Sequence, residues 1–281
     1  MSAARSPLAL AGLVALALLA FAGNSLLARV ALREGGMDPA SFTGLRLAAG
    51  ALTLWLLAWP RRRLANAASW RSALALFAYA ALFSLAYVRL EAGAGALLLF
   101  GAVQATMIGH GLATGERLGR WQWLGLALAL AGLVGLLLPG LSAPPLAPAL
   151  LMIGAGVAWG AYSLRGRGAG DALLTTAGNF MRSLPLALVF GLAMLPQLRV
   201  DTPGLLAALA SGALASGVGY AIWYTALPML RAASAATLQL CVPLMVALAG
   251  VAWLGEPATL RLALAAAGIV GGTFLVIRSR E

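Results

Sequence analysis

Apolar residues do not alternate with polar ones along this chain. They run together in helix-length blocks, rich in Leu, Ala and Gly and free of charge, and short polar or proline-bearing joins separate them. A block of about 20 apolar residues is long enough to cross a bilayer as an α-helix. Lipid offers the backbone no hydrogen-bond partner, so a crossing segment is either a helix or part of a closed barrel. The blocks are about twice the length of a barrel strand and lack its period of two, which selects helices. The pattern predicts spans at about 8–28, 41–59, 70–88, 93–114, 121–138, 147–164, 172–195, 204–225, 232–254 and 260–277. Pro39, Pro60, Pro196, Pro203 and Pro257 fall at the joins. The stretch 121–164 has no charge and is too long for one helix, and Pro139, Pro144, Pro145 and Pro148 divide it.

Composition closes off the other classes. Of 281 residues, 62% are hydrophobic and 10% charged, with mean hydropathy +0.93. A soluble domain carries about 25% charged residues, and a disordered chain is poor in apolar ones. The fold class is therefore an all-α polytopic membrane protein of ten transmembrane helices, with the lipid bilayer as its first partner. The net charge of +11 comes entirely from Arg, because the chain has no Lys. The arginines form no stripe, so nucleic acid is not expected as a partner, and they read as loop charges that orient the helices. Arg5, Arg61, Arg62, Arg63, Arg71, Arg117, Arg120, Arg165, Arg167, Arg231, Arg278 and Arg280 fall on one side. Arg29, Arg33, Arg89, Arg199 and Arg261 fall on the other. That asymmetry places both termini in the cytoplasm, and the membrane expected is a bacterial inner membrane. The first span has a possible signal-peptide cleavage site at Ala20-Phe21-Ala22, but its apolar run continues past it, so the span is expected to be retained. Cys241 is the single cysteine, which excludes an internal disulfide and a Cys-based metal cluster. One His and three loop aspartates, Asp38, Asp171 and Asp201, supply no metal site, and no catalytic grouping stands out. No metal, cofactor or enzymatic activity is expected.

The two halves resemble each other. Gly23 matches Gly160, Arg46 matches Arg182, Tyr87 matches Tyr224, and Gly115-Glu116 matches Gly255-Glu256, in one order and at a nearly constant offset. Each half holds five spans. Five is odd, so the second copy lies upside down relative to the first, which is a signature of secondary transporters. The division is 1–140 and 141–281. The second half reads Tyr220-Ala-Ile-Trp-Tyr-Thr-Ala-Leu-Pro, then Ala233-Ser-Ala-Ala-Thr, Pro243, Trp253-Leu-Gly-Glu256 and a Gly-rich last span, Gly268-Ile-Val-Gly-Gly272. The first half carries a looser copy, Ala86-Tyr87, Gly93-Ala-Gly-Ala and Gly115-Glu-Arg-Leu118. In these residues the chain resembles the drug/metabolite transporter superfamily, EamA type. The resemblance implies two inverted five-helix repeats around a central substrate cavity. It departs in the first half, where Val103 stands in place of Pro243 and Arg89-Leu-Glu91 replaces a more apolar turn.

Several residues could carry function. Arg46 and Arg182 lie inside apolar runs, where Arg costs roughly 2.5–3.5 kcal/mol on insertion scales. They read either as an anion clamp for a carboxylate or as structural groups that cap carbonyls or snorkel, and their symmetric recurrence favours structure. Tyr79, Phe83 and Tyr87 share one helix face, as do Ser216, Tyr220 and Tyr224, and Trp159 and Tyr162 add aromatic bulk. They line a cavity or pack helices. The buried amides Gln104 and Gln239 lean to the cavity, and Asn24 and Asn179 to joining helices. His110, the single histidine, is a candidate for proton coupling, although Gln104 and His110 lie about 240° apart around a helix. Glu116 and Glu256 read as ion pairs, with Arg117 and Arg261 close in sequence, or as helix-terminus contacts. The glycine pairs Gly156/Gly160, Gly111/Gly115 and Gly268/Gly272 read as packing.

The function expected is a carrier moving a small organic solute by alternating access, acting as a monomer or a weak homodimer, with protons as the candidate coupling ion. The resemblance implies export of an amino acid or related metabolite. The alternatives are a nucleotide-sugar or drug carrier of the same superfamily, and a membrane scaffold that transports nothing.

Overall fold

The structure is a computed structural model that describes residues 7–33, 36–61, 68–115, 119–138, 143–166, 171–226, 229–230, 238–239 and 241–278. Among them run ten helices. They are α1 (Pro7–Leu32), α2 (Pro39–Ala58), α3 (Trp70–Tyr87), α4 (Ala92–Ala113), α5 (Arg120–Leu137), α6 (Leu146–Arg165), α7 (Ala172–Ala193), α8 (Thr202–Ala226), α9 (Cys241–Leu254) and α10 (Leu260–Arg278). Each sits on an expected span. Among the described residues, seven helices, α1–α4 and α6–α8, are long and apolar enough to cross a membrane; α5, α9 and α10 are shorter apolar helices. Leu238 and Gln239 are also helical. The expected start of the ninth span, with Ala233–Thr237, lies outside the described residues, as do Glu116 and Arg117.

Acidic and hydroxyl side chains start the helices. A helix leaves its first N–H groups without partners, and a short side-chain oxygen can accept from them. Asp38 accepts from Ala40 N (3.0 Å) and Ser41 N (2.9 Å), Ser69 from Ser72 N (3.2 Å), Asp171 from Leu174 N (2.8 Å) and Asp201 from Gly204 N (3.0 Å). Asp38 also accepts from Arg199 N at 3.0 Å, tying the α7–α8 loop to the start of α2. Burial pushes its carboxyl up, but the hydrogen bonds from Arg199, Ser41 and Ala40 outweigh burial and hold it below the ordinary carboxylate value. The three aspartates read as loop residues are therefore helix caps.

Two expectations need correction. Arg29 was expected in a loop, but nothing in 28–32 breaks the helix and α1 carries Arg29 within it, buried. The Gly111/Gly115 spacing predicts a packing role for Gly115. Instead Gly115 and Gly255 take left-handed backbone at φ +93° and +66°, and each follows the last turn of α4 or α9. A Cβ is strained there, which gives the recurring Gly-Glu pair a physical reason in both halves.

Contacts between the halves come in mates. α3 packs on α6 as α8 packs on α1, α4 on α6 as α9 on α1, and α3 on α7 as α8 on α2. The pairs α2–α7, α4–α9 and α5–α10 are their own mates. This is the pattern of a two-fold relation between the repeats. Small residues make the approach possible. In lipid, helices gain nothing by hiding apolar surface from water and rely on close packing. Gly156 and Gly160 of α6 abut Ala102 and Thr106 of α4. Gly132 of α5 faces Gly268 of α10, and Gly272 faces Gly125 and Ala129. Trp55, Trp59, Trp70, Trp121 and Trp253 are exposed near helix ends, as interfacial anchors are.

Gly272→Leu should lower the midpoint of thermal unfolding in detergent sharply, because its Cβ would collide with the Gly125 carbonyl. Overpacking costs typically about 1–3 kcal/mol. Gly271→Ala, which meets nothing within 4 Å, should leave the midpoint within error. Equal effects of the two substitutions would contradict the α5–α10 packing.

Candidate functional site

The two repeats meet in a column of aromatic rings. On α3, Tyr79, Phe83 and Tyr87 follow one another at one-turn intervals, as the i, i+4 spacing requires, with ring centroids 5.4 Å and 4.6 Å apart in tilted and edge-to-face contact. From the other repeat, Trp159 of α6 meets Tyr79 at 4.9 Å and Tyr162 at 5.4 Å. Its ring lies 5.6 Å from that of Tyr220 on α8, with the planes 15° apart. Phe180 and Phe21 approach Tyr220 at 6.0 Å and 5.8 Å. The structure thus brings together Tyr79, Phe83, Trp159, Tyr162 and Tyr220. All are buried except Trp159, which is partly exposed.

A polar chain runs beside the column. Ser211 Oγ donates to Asn24 Oδ1 at 2.6 Å, and Asn24 Nδ2 donates to Tyr79 Oη at 3.3 Å. Arg46 Nη2 donates to the same phenol oxygen at 3.1 Å, and Arg46 Nε donates to Ser216 Oγ at 3.4 Å. The chain links α1, α2, α3 and α8. Ser211 and Ser216 are five residues apart, which an α-helix would turn about 140° away from each other. Here 211–218 is π-helical, and an i→i+5 ladder brings residues five apart close to one face. The π segment aims both hydroxyls at the centre, which the α-helical period read from the sequence does not anticipate.

Arg46 is 2% exposed, a little under two turns into α2 or about 10 Å from its start. Its guanidinium carbon lies 5.1 Å from the ring centres of both Tyr79 and Phe83. Such ring contacts contribute about 2 kcal/mol when desolvated. Nη1, buried, has no hydrogen-bond partner among the described residues. A buried donor left unmade costs about 1–3 kcal/mol, so the rings offset part of the burial cost and leave Nη1 unsatisfied.

The remaining candidates lie elsewhere. Arg182, the sequence mate of Arg46, is partly exposed and donates to Gly178 O of its own helix at 3.2 Å, the carbonyl-capping geometry of a structural group. Gln104 lines a gap of about 10 Å³ between α4, α5 and α10, away from the rings. Gln239 is partly buried, and residues on both sides of its short helical piece lie outside the described residues. His110 is exposed near the end of α4. Asn24 and Asn179 join helices: Asn179 Oδ1 accepts from Ser69 N at 3.0 Å, and its amide donates to Tyr162 Oη at 3.5 Å. A separate apolar groove of about 820 Å³ opens between α2 and α7, lined by Leu45, Ala48, Leu184 and Leu188 among others, and touches none of the candidate residues.

Sequence reasoning missed one site. Glu256 does not pair with Arg261. Its carboxylate meets Arg29 Nε at 3.4 Å and accepts from Ala92 N at 2.6 Å and Gly93 N at 3.4 Å. An anion at a helix N-terminus is favoured by its free N–H groups and dipole. Arg29 Nη1 also donates to Tyr87 O (3.2 Å) and Val88 O (3.4 Å), at the end of α3. The pair therefore locks the α9–α10 turn of the second repeat to α1, α3 and α4 of the first. Its partners lie 227 residues apart, and no local spacing signals it. Glu256 thus makes both an ion pair and a helix-terminus contact, with Arg29 and not Arg261 as the cation.

The model of the EamA-like transporter family matches residues 9–138 and 146–278, once in each half. An uncharacterized protein of Pseudomonas aeruginosa is 57% identical over 270 residues, covering 95% of this chain and 94% of its own. A solved crystal structure superposes with a TM-score of 0.68 at 19% identity, over 97% of this chain and 99% of its own. At that identity the likeness speaks for the fold alone.

Glu256→Ala should destabilise the folded chain by about 3–5 kcal/mol, because it strands a buried guanidinium. Combining it with Arg29→Met should recover part of the loss, and a double-mutant cycle on thermal unfolding reads the coupling. Strictly additive effects would show that the two side chains do not act as a pair.

Proposed function

The chain belongs to the EamA-like transporter family and is a multi-pass membrane transporter; from that premise we propose that it carries a small organic solute by alternating access, with the aromatic column between the repeats as the binding place. The supporting observation is the meeting of Tyr79 and Phe83 from one repeat with Trp159, Tyr162 and Tyr220 from the other. A site built from both halves changes shape when the halves rock, which alternating access requires. Each ring pair contributes only about 0.5–1.5 kcal/mol beyond its buried area. A flat solute can therefore take the place of a Trp159–Tyr220 contact at comparable energy. Export of an amino acid or a related metabolite, in the orientation with both termini in the cytoplasm of a bacterial inner membrane, is one case of this reading. A nucleotide-sugar carrier fits less well, since its phosphates call for several basic groups and Arg46 is the cation at the column among the described residues.

Counterflow of a solute panel into proteoliposomes tests the proposal. Trp159→Ala and Tyr220→Ala should each reduce flux by about tenfold or more while folded yield stays near wild type. Flux that persists in both variants, or folded yield that falls in step with flux, would assign the column to packing. His110→Gln should leave the pH dependence of flux unchanged, because His110 is exposed and away from the column; a shifted profile would restore it as the coupling group.

A further inference from the structure

The Arg46 guanidinium has a donor that the protein leaves unused. Nε and Nη2 are engaged by the hydroxyls of Ser216 and Tyr79, while Nη1 is buried without a partner among the described residues. Arg keeps its charge in every protein environment, and a charge inside a membrane protein is ordinarily paired. The acidic groups among the described residues are committed elsewhere or lie at helix ends. Asp38, Asp171 and Asp201 cap α2, α7 and α8, Glu256 is held by Arg29 and the start of α4, and Glu91 immediately precedes α4. Among the described residues no carboxylate pairs with Arg46. Rings surround the same point: Tyr79 and Phe83 beneath the guanidinium, with Trp159 against Tyr79 and then Tyr220.

The geometry points to Arg46 Nη1 as the anchor for a carboxylate on the transported solute, with the Trp159–Tyr220 rings receiving that solute's flat or apolar body. This rests on reading the chain as a carrier that loads at the aromatic column. The anion supplies the missing acceptor and the missing countercharge together. One guanidinium balances a monoanion. A phosphate dianion would bring excess charge, since Arg182 is turned onto its own helix. The ring faces favour an organic acid over chloride. The substrate class is therefore the organic monocarboxylates with a planar or apolar body.

The test uses the purified full chain and pairs of acids with their neutral amides: benzoate with benzamide, phenylacetate with phenylacetamide, and indole-3-acetate with indole-3-acetamide. Chloride and inorganic phosphate are the small-anion probes. At least one acid should raise the unfolding midpoint saturably, and its amide should need at least tenfold higher concentration for the same shift. Arg46→Gln should abolish the shift caused by the acid, and Arg46→Lys should keep part of it. If Arg46→Gln does not fold, the acid–amide comparison on wild type decides alone. The inference is overturned if acid and amide stabilise alike, if Arg46→Gln responds as wild type does, if no acid stabilises the chain, or if chloride or phosphate does as well as the organic acids. Counterflow separates the two readings. Organic acids carried equally by wild type and Arg46→Gln would leave the carrier standing and remove the anchor. Acid binding lost in Arg46→Gln, with no flux of any solute, would keep the anchor and remove the carrier.

Discussion

Helices in a bilayer gain nothing by exchanging lipid contacts for contacts with one another, and this molecule is organised around that constraint. The helices must cohere through close backbone approach and through internal hydrogen bonds. The first device joins α5 to α10 and α4 to α6, where glycines let one backbone lie on the other. The second is polar: the Ser211–Asn24–Tyr79–Arg46–Ser216 chain across four helices, and Glu256 with Arg29 at the end of the bundle where α1 finishes.

Glycine contacts are apolar and close, and those of α5 with α10 and of α4 with α6 join one repeat to the other. Polar links are few and specific, and most of them cross between repeats. Arg29 and Arg33 reach Glu256 and Leu254 of the second repeat. Arg46 reaches Ser216, and Asn24 is reached by Ser211. Both devices therefore hold the two repeats together, one through backbone approach and the other through hydrogen bonds.

Much of this was legible in the residues, and the limits have physical causes. Span positions follow from hydropathy because lipid forces whole helices. The repeat shows in Gly115 and Gly255 because a left-handed helix end tolerates little else. The shared face of Tyr79, Phe83 and Tyr87 follows from helical period. Three things were not legible. Arg46 and Arg182 match in sequence yet differ in place, because an inverted copy preserves the backbone and not the neighbours. The π segment of α8 leaves no mark in composition, so Ser211 and Ser216 do not read as partners. Arg29 and Glu256 lie far apart along the chain and meet only after both repeats have folded.

The unmatched Arg46 charge has an electrical consequence. Moving one elementary charge fully across a membrane is worth about 2.3 kcal/mol per 100 mV. Any rearrangement that brings this residue nearer to one membrane face is therefore helped or opposed by the resting voltage, in proportion to the distance covered. Its mate Arg182 donates to its own helix backbone, so the second repeat brings no matching arginine to the column. The helix contacts come in two-fold mates while the electrostatics are lopsided, so a membrane voltage bears on one repeat more than on the other.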